Sequence, residues 1–585
     1  MNPMSAVVLW PADLTDLEGI CYGWKQPLVC VAGVIATTDS AEAERMVTLA
    51  SLRSEWSAVR QMFSSDPVVL GHCRSRSSEG RSLEFSFLDD SQNLEVGQLL
   101  VYRRHKRSSM RFYSFNFSEL DILPSQESEG SDTRNVVALA NESLAADFTR
   151  LGSSPKRKGA VFDAEVLSQA NLAHLLAAIV EKEATSSDAP SNPSAGAPEP
   201  TGRGESPPPS RTTPITPSSS ANIIATIYGA SRRFSSTMEQ CDIRYEQGLY
   251  VSREVSYVYK DKARTVHSIS KYIKFHNCVW LVLNDVIIGV AFGSFLCENK
   301  QFFAQWLHYG LQTYLIDGMR EALLWLNSWP AGLKLNTELS QFYCHSLVGL
   351  VSVWGWLLEH AAPCFPALVW LIGVGGCCGM TMIVSLLSDS LGLLMAHLYV
   401  CYYLSATVFS HQLGLAGSLW NLFRGKRYNV LRNRIDSWDY DMDQLLLGTI
   451  LFTLLAFLLP TVLTYYALFA TARLSVIIVH AMFDTITALL NHFPLFALLL
   501  RLKDPLRLPG GVFIQRSKTG PLLLSSQPAP LSSIFRHYAH LARRLITHYH
   551  PLRMLRQLAS GRLLSPISRE AIRYSMVPTE DVLKR

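Results

Sequence analysis

Four stretches between residues 285 and 473 contain no Asp, Glu, Lys or Arg: those bounded by Asp285 and Glu298, Glu359 and Asp389, Asp389 and Arg424, and Asp443 and Arg473. A helix needs about 20 mostly apolar residues to cross a bilayer core, and the last three stretches are long enough. One such run can hide inside a large soluble domain. Several in one region cannot all be covered by water-facing surface, so the chain reads as a polytopic α-helical membrane protein. The chain-wide figure of 17% charged residues conceals this, because the apolar residues gather between about residues 277 and 500.

Six transmembrane helices are expected, in a membrane domain over residues 274–502: about residues 278–297, 340–358, 367–388, 390–409, 445–469 and 474–500. Asn284 and Asp285 interrupt the first, Asp389 divides the third from the fourth, and Pro460 lies in the fifth. The sixth carries His480, Asp484, Asn491 and Pro494. Residues 302–329, with Trp306, Leu311, Tyr314, Leu323, Trp325 and Leu326, are amphipathic and suit the membrane interface better than a crossing. Residues 410–444 hold Arg424, Lys426, Arg427, Arg432 and Arg434, and residues 501–585 hold 15 Lys or Arg against 4 Asp or Glu. With six crossings and a cytosolic N-terminus, both basic segments fall on the cytosolic side, as the positive-inside rule requires.

Outside the membrane, residues 1–182 read as a small cytosolic α/β domain. Residues 28–35 form a strand-like apolar run and residues 41–63 have helical periodicity. Residues 98–103 and 109–117 look like paired strands around a basic turn. Residues 164–182 read as an amphipathic helix with Leu167, Leu172, Leu175 and Ile179 on one face. Residues 183–220 are a Ser/Pro-rich linker, too polar to offset the entropy of ordering and therefore expected to be disordered. A pre-membrane segment (221–273) leads into the membrane domain, and a basic cytosolic tail (503–585) follows it. Asn116-Phe-Ser and Asn141-Glu-Ser match the glycosylation pattern, which is silent on a cytosolic domain. No cleaved signal peptide is expected. The 11 cysteines include no CxxC pair, and seven lie in or beside the apolar region, where Cys serves as a small packing residue.

Three carboxylates, Asp285, Asp389 and Asp484, fall within or beside apolar helices, where an ionised acid costs about 2.5–3.5 kcal/mol on insertion scales. They could line a transport path or a lipid-headgroup pocket, or pair with polar groups as helices pack; the last is the simpler account. The loop Gly417–Arg434 interleaves its basic residues with Trp420, Phe423, Tyr428 and Leu431, a pattern suited to an anionic headgroup surface. Phosphoinositide contact and a plain topology anchor explain it equally well, and its place beside membrane helices argues against nucleic acid. Asp439-Tyr-Asp441-Met-Asp443 contains two D-x-D triplets, used by many nucleotide-sugar transferases to hold a divalent metal. The same acids can cap the helix that begins near Leu445 or pair with Arg432 and Arg434, which is the favoured account. Glu246 and Glu254 show an E-x7-E spacing without donor-binding glycine loops around it. No P-loop, dinucleotide fingerprint, G-x-S-x-G or H-E-x-x-H occurs.

Several ordered segments resemble the PIG-Q family, a subunit of phosphatidylinositol N-acetylglucosaminyltransferase. They are Pro330-Ala-Gly-Leu-Lys-Leu-Asn336, Leu386-Leu-Ser-Asp389, Ser418-Leu-Trp-Asn-Leu-Phe-Arg-Gly-Lys426 and Asn429-Val-Leu-Arg432. Asp436-Ser437, Tyr440-Asp-Met-Asp-Gln-Leu445, Leu458-Leu-Pro-Thr461, Phe493-Pro-Leu495 and Leu500-Arg-Leu502 continue the series. The resemblance covers roughly residues 270–510. It implies an endoplasmic reticulum protein within a complex that moves GlcNAc from UDP-GlcNAc to phosphatidylinositol. The implied partners are a PIG-A-like catalytic subunit and PIG-C, PIG-H, PIG-P and PIG-Y-like subunits. It also implies a non-catalytic role, with no cofactor and no catalytic residue to carry over. A polytopic transferase using Asp441 and Asp443, or a transporter, stands as the alternative.

Overall fold

The computed structural model describes residues 4–115, 164–187, 235–260 and 266–567, apart from residues 15–16, 61–62, 64, 77–81, 88–93, 329–331, 333–334, 430–432, 517–520 and 565. Both glycosylation patterns and nearly all of the Ser/Pro-rich linker lie outside the described residues.

The N-terminal part is an eight-stranded sheet that draws on both flanks of the membrane domain. Its strands are β1 (Met4–Pro11), β2 (Gly19–Trp24), β3 (Val29–Ile35), β4 (Val68–Arg76), β5 (Ser82–Phe87), β6 (Leu94–Tyr102), β9 (Pro509–Arg516) and β10 (Leu522–Pro528), in the order β5-β4-β2-β3-β1-β6-β10-β9. Side chains alternate between the faces as strand geometry dictates. Leu9, Cys30 and Ala32 pack under α1 (Ser40–Leu52), α2 (Ser54–Arg60) and α3 (Ala164–Ser187), while Val8, Trp10, Val29 and Val31 form a second core on the other face. The expected strand over residues 109–117 does not form. The free edge of β6 is taken by β10, which runs parallel to it with Leu522 opposite Leu100. The segment after β6 is held instead by side chains: the Tyr113 hydroxyl bonds the Arg103 amide and carbonyl at 3.1 Å each, and Asn171 of α3 brackets the Tyr113 backbone at 2.7 and 2.9 Å.

The helices that follow are α4 (Ser236–Lys260), α5 (Val266–Glu298), α6 (Lys300–Gly310), α7 (Gly318–Asn327), α8 (Thr337–Ala361), α9 (Phe365–Gly375), α10 (Met380–Leu394), α11 (Ala396–Phe423), α12 (Met442–Asn491) and α13 (Leu495–Lys503). A π-helical turn, Leu311–Asp317, joins α6 to α7. This stretch buries Leu311, Ile316, Leu323 and Leu326 and exposes Phe302, Trp306, Tyr314 and Trp325, as its amphipathic sequence requires. Three stretches are long and apolar enough to cross a membrane: Ile269–Glu298, Thr337–Cys378 and Met442–Asn491. The pair α10–α11, bent by 54°, makes a fourth if it is one span.

Two expected boundaries move. The division placed at Asp389 falls instead at Gly376–Gly379, where the φ of Gly379 is +122°, and at Met395. A carboxylate does not break a helix when a neighbour satisfies it; a run of glycines does. The spans expected over residues 445–469 and 474–500 are one 50-residue helix, α12, that carries Pro460 and Arg473 without interruption. Arg473 needs no loop, because its guanidinium lies over the Tyr399 ring of α11 at 4.8 Å.

The sheet meets the helices through α13. Phe112, Ile269, Ile273, Ala497, Leu508, Ala529 and Ile534 form a small core there. Beside it Asp504 accepts from Arg111 at 3.0 Å and Arg507 at 3.2 Å. Burial alone would raise the Asp504 pKa, but the two arginines hold it below the usual carboxylate range. A lowered carboxylate pKa contributes stability that is present above the unfolded value and lost as pH falls through the folded one. The joint should therefore loosen only on acidification below the ordinary carboxylate range, and Asp504→Asn should abolish that dependence. Limited proteolysis across a pH series reads both.

Because β6 and β10 share a sheet, they lie on one side of any membrane, so the chain between them crosses an even number of times. Cysteines placed at Leu52 and Phe513, 68% and 41% exposed, should label with an impermeant maleimide from the same side. Labelling from opposite sides would show that the sheet does not form.

Candidate functional site

The buried polar groups of the helical domain converge where α4 lies against α5 and α10. Asp285 of α5 is 2% exposed. It forms an ion pair with Arg244 of α4 and accepts from the Thr381 amide at 3.1 Å and the Thr381 hydroxyl at 2.9 Å. Arg244 also donates to Thr381 at 2.8 Å and Gln247 at 2.7 Å. Thr381 stands at the start of α10, and Gly379 before it leaves no room for a Cβ: one built there would strike the Asp285 carboxylate. Further along α5, Gly289 and Gly293 let its backbone touch that of Gly376 and Gly373 on the antiparallel α9 segment, the close approach that small residues permit between membrane helices.

Asp389 occupies the other end of the α4 contact. It accepts from the Ser235 hydroxyl at 2.6 Å and from the Ser236 and Thr237 amides at 2.8 and 3.0 Å. A carboxylate supplied by α10 thus caps the N-terminus of α4 and faces the positive end of its dipole. Asn491 at the end of α12 donates to Gln240 of α4 at 3.1 Å. Asp484 is on α12 within electrostatic reach of Tyr549, whose pKa is raised by burial first and by that carboxylate second. Of the three intramembrane acids, two are therefore bound into one α4-centred network and Asp484 lies apart from it. Arg244, Ser235 and Thr381 went unremarked in the sequence. An arginine at the centre of a moderately polar helix was the only available signal, and nothing local marks its partner 41 residues away.

The basic loop folds as a hairpin between α11 and α12. Strands β7 (Lys426–Asn429) and β8 (Arg434–Ser437) pair antiparallel with Arg427 opposite Asp436, turning through Asn433 at φ +48°. The Arg427 guanidinium stacks on Trp438 at 5.0 Å, and Arg434 pairs with Asp436 at 2.7 Å rather than with the D-x-D acids. Arg432 lies outside the described residues. Asp441 occupies the N-cap position of α12 without a side-chain capping bond, Asp443 lies in its first turn, and both are exposed. The expected side-chain cap is replaced by dipole complementarity alone. Trp420, Arg424, Lys426, Arg427 and Arg434 surround that helix end, with Trp420, Ile435, Trp438 and Met442 at least half exposed. Among the described residues no three His, Cys, Asp or Glu side chains are placed to hold a metal ion.

These features define a polytopic helical membrane protein whose bundle is organised by an amphipathic helix, α4, and attached to an α/β domain. Within that class the chain belongs to the Gpi1/PIG-Q family, since residues 238–510 match the family described as N-acetylglucosaminyl transferase component (Gpi1). It is 40% identical over 359 residues to the N-acetylglucosaminyl-phosphatidylinositol biosynthetic protein gpi1 of Schizosaccharomyces pombe, covering 59% of this chain and 55% of that one. It is 34% identical over 365 residues to phosphatidylinositol N-acetylglucosaminyltransferase subunit GPI1 of Saccharomyces cerevisiae, covering 56% and 59%. To subunit Q of Mus musculus it is 36% identical over 299 residues, covering 50% and 51%. The chain thus spans little more than half the length of these relatives. No solved structure matches.

The α4 network should be required for a stable bundle. Removing one member of a buried ion pair costs about 3–5 kcal/mol, so Arg244→Met should collapse the monodisperse peak in detergent chromatography. Arg244→Met with Asp285→Leu should recover much of it, because no unpaired charge remains. Equal loss in the single and double variants would mean that the pair is not coupled.

Proposed function

We propose that this chain is a non-catalytic membrane subunit of the complex that transfers GlcNAc from UDP-GlcNAc to phosphatidylinositol, the first step of GPI-anchor biosynthesis. The observation that carries it is where the family match falls: residues 238–510 begin at α4 and contain the whole helical bundle. What the match spans is thus a helix-packing device. Asp285 and Asp389 are engaged within it by Arg244 and by the α4 N-terminus. The D-x-D acids stand exposed at a helix start, with their basic neighbours bonded elsewhere. A PIG-A-like subunit would supply the chemistry, and PIG-C, PIG-H, PIG-P and PIG-Y-like subunits would meet the exposed apolar faces of the bundle.

The setting is the endoplasmic reticulum membrane. Four crossings by α5, α8–α9, α10–α11 and α12 satisfy the even count set by the sheet, in place of six. A helix of 50 residues is about 75 Å long, well beyond the 30 Å or so of a bilayer core. By crossing once it sets the β7–β8 hairpin and the sheet on opposite sides. The positive-inside rule then weighs five basic residues in the loop against 15 after residue 500. It keeps the sheet and both flanking segments cytosolic, and moves the hairpin to the lumen.

Affinity purification of the full chain from mild detergent should recover a UDP-GlcNAc-dependent transferase. Asp441→Asn with Asp443→Asn should leave its turnover within about twofold, as exposed substitutions do. An assembled complex that loses metal-dependent donor binding in that variant would instead make this chain the enzyme. Failure to recover any transferase would refute the assignment. A glycosylation acceptor inserted beside Asn433 should be modified if the hairpin is lumenal.

A further inference from the structure

After the sheet, the chain returns to the helical bundle as two short amphipathic helices, α14 (Arg536–His548) and α15 (Pro551–Ala559). Between residues 536 and 562 there are six arginines and no Asp, Glu or Lys. Their apolar sides seat on α12. Leu541 packs with Ala488, Tyr538 donates to the Leu489 carbonyl at 3.0 Å, and Tyr466 donates to the Leu558 carbonyl at 3.0 Å. The fit leaves a cavity of about 410 Å³ between α12 and α15. Its wall is apolar, formed chiefly by Leu474, Ile478, Ala481, Met554, Leu555 and Leu558. That volume is within the range of small-ligand pockets.

The charges around this cavity are of one sign. Arg553 and Arg556 are exposed and interleave with its lining residues along α15. Arg473 precedes the lining residue Leu474. Its Nε is buried without a hydrogen-bond partner, and it makes no ion pair with any described residue. Tyr402 ties the rim together: its hydroxyl donates to the Arg562 carbonyl at 3.4 Å and accepts from the amide of the lining residue Leu564 at 2.8 Å. Asp484, one turn past Ala481, is the acid nearest to this site along α12 and is directed to Tyr549. An apolar slot rimmed by arginines, one of them lacking any anion, is complementary to a molecule with a hydrocarbon chain and a phosphate. Basic amphipathic helices are also the elements that lie in a headgroup layer.

We propose that the α12–α15 cavity is a binding site for an anionic phospholipid, with an acyl chain in the slot and the phosphate held by Arg473 together with arginines of α15. This site is separate from the β7–β8 hairpin at the far end of α12 and does not depend on the proposed subunit role. Its ligand belongs to the bilayer, so the site makes the stability of this chain sensitive to lipid charge.

The test reconstitutes the full chain in nanodiscs containing a trace of photoactivatable lipid with the diazirine on the acyl chain. The headgroup is phosphatidylserine or phosphatidylcholine on the same chain. Expected are cross-links on residues 474–481 and 554–558, at least tenfold stronger for the anionic probe, a difference of about 1.4 kcal/mol. Ala481→Trp should remove them by filling the slot. Arg473→Met should reduce the headgroup preference while leaving the chain contact. Leu499→Trp, on an exposed apolar face, is the control for folding and for annular lipid. Equal labelling by the two probes, or labelling unchanged by Ala481→Trp, would overturn the proposal. So would cross-links that appear only after α15 detaches in an unfolded variant, or that are displaced by a co-purified protein helix seated in the slot.

Discussion

The buried contact between Arg244 and Asp285 fixes how the rest of the helical domain can assemble. An isolated carboxylate at a 2% exposed position would be neutralised or would pull in water. With Arg244 beside it, the same carboxylate obliges three elements to meet at one point: α4 through the arginine, α5 through the aspartate and α10 through Thr381. Gly379 makes that meeting sterically possible, and the paired glycines along α5 and α9 extend it into a backbone-to-backbone contact. Asp389 then fixes the direction of α4, because only one end of a helix offers free amides to an anion. A buried ion pair is weak evidence of stability in itself. Its value here is in specifying which of many greasy helix faces is buried.

The same logic explains how much could be seen in the sequence. The charge-free stretches announced membrane helices correctly, because lack of charge over a bilayer's thickness has few other uses. The short apolar strands and the amphipathic α3 were visible through their periodicities. Helix ends within the membrane were not, because two cues misled. Asp389 looked like a boundary and is a cap for another helix. Arg473 looked like a boundary and is covered by an aromatic ring. The true break was written as Gly375-Gly-Cys-Cys-Gly379, a glycine cluster that deserved more weight than any charge. The α4 network was invisible for another reason: each of its bonds joins residues far apart in the chain, and single-sequence patterns record only neighbours.

The pairing of β10 with β6 was equally hidden. A tail dominated by arginine reads as a solvated extension, and the short strands within it carry no partner's address. Yet that pairing sets the parity of the membrane crossings, which hydropathy alone leaves open. Joined to the continuity of α12, it also separates the two basic segments that seemed to share a side. The loop hairpin and the tail lie at opposite ends of one helix, and its length forbids a return.

This separation changes what the arginines can be for. If both clusters lay on one face, a single headgroup surface would account for all of them as topology anchors. At opposite ends of α12 they need different explanations. In the hairpin the charges are largely internally matched, Arg434 by Asp436 and Arg427 by Trp438, which suits a compact plug at a helix end. Along α14 and α15 no acid is interspersed, and the helices are held to α12 by apolar contacts and tyrosine hydroxyls alone. Six like charges on two short helices repel one another, so the docked arrangement gains from an anion that the protein itself does not contain. The membrane surface is the nearest source of one.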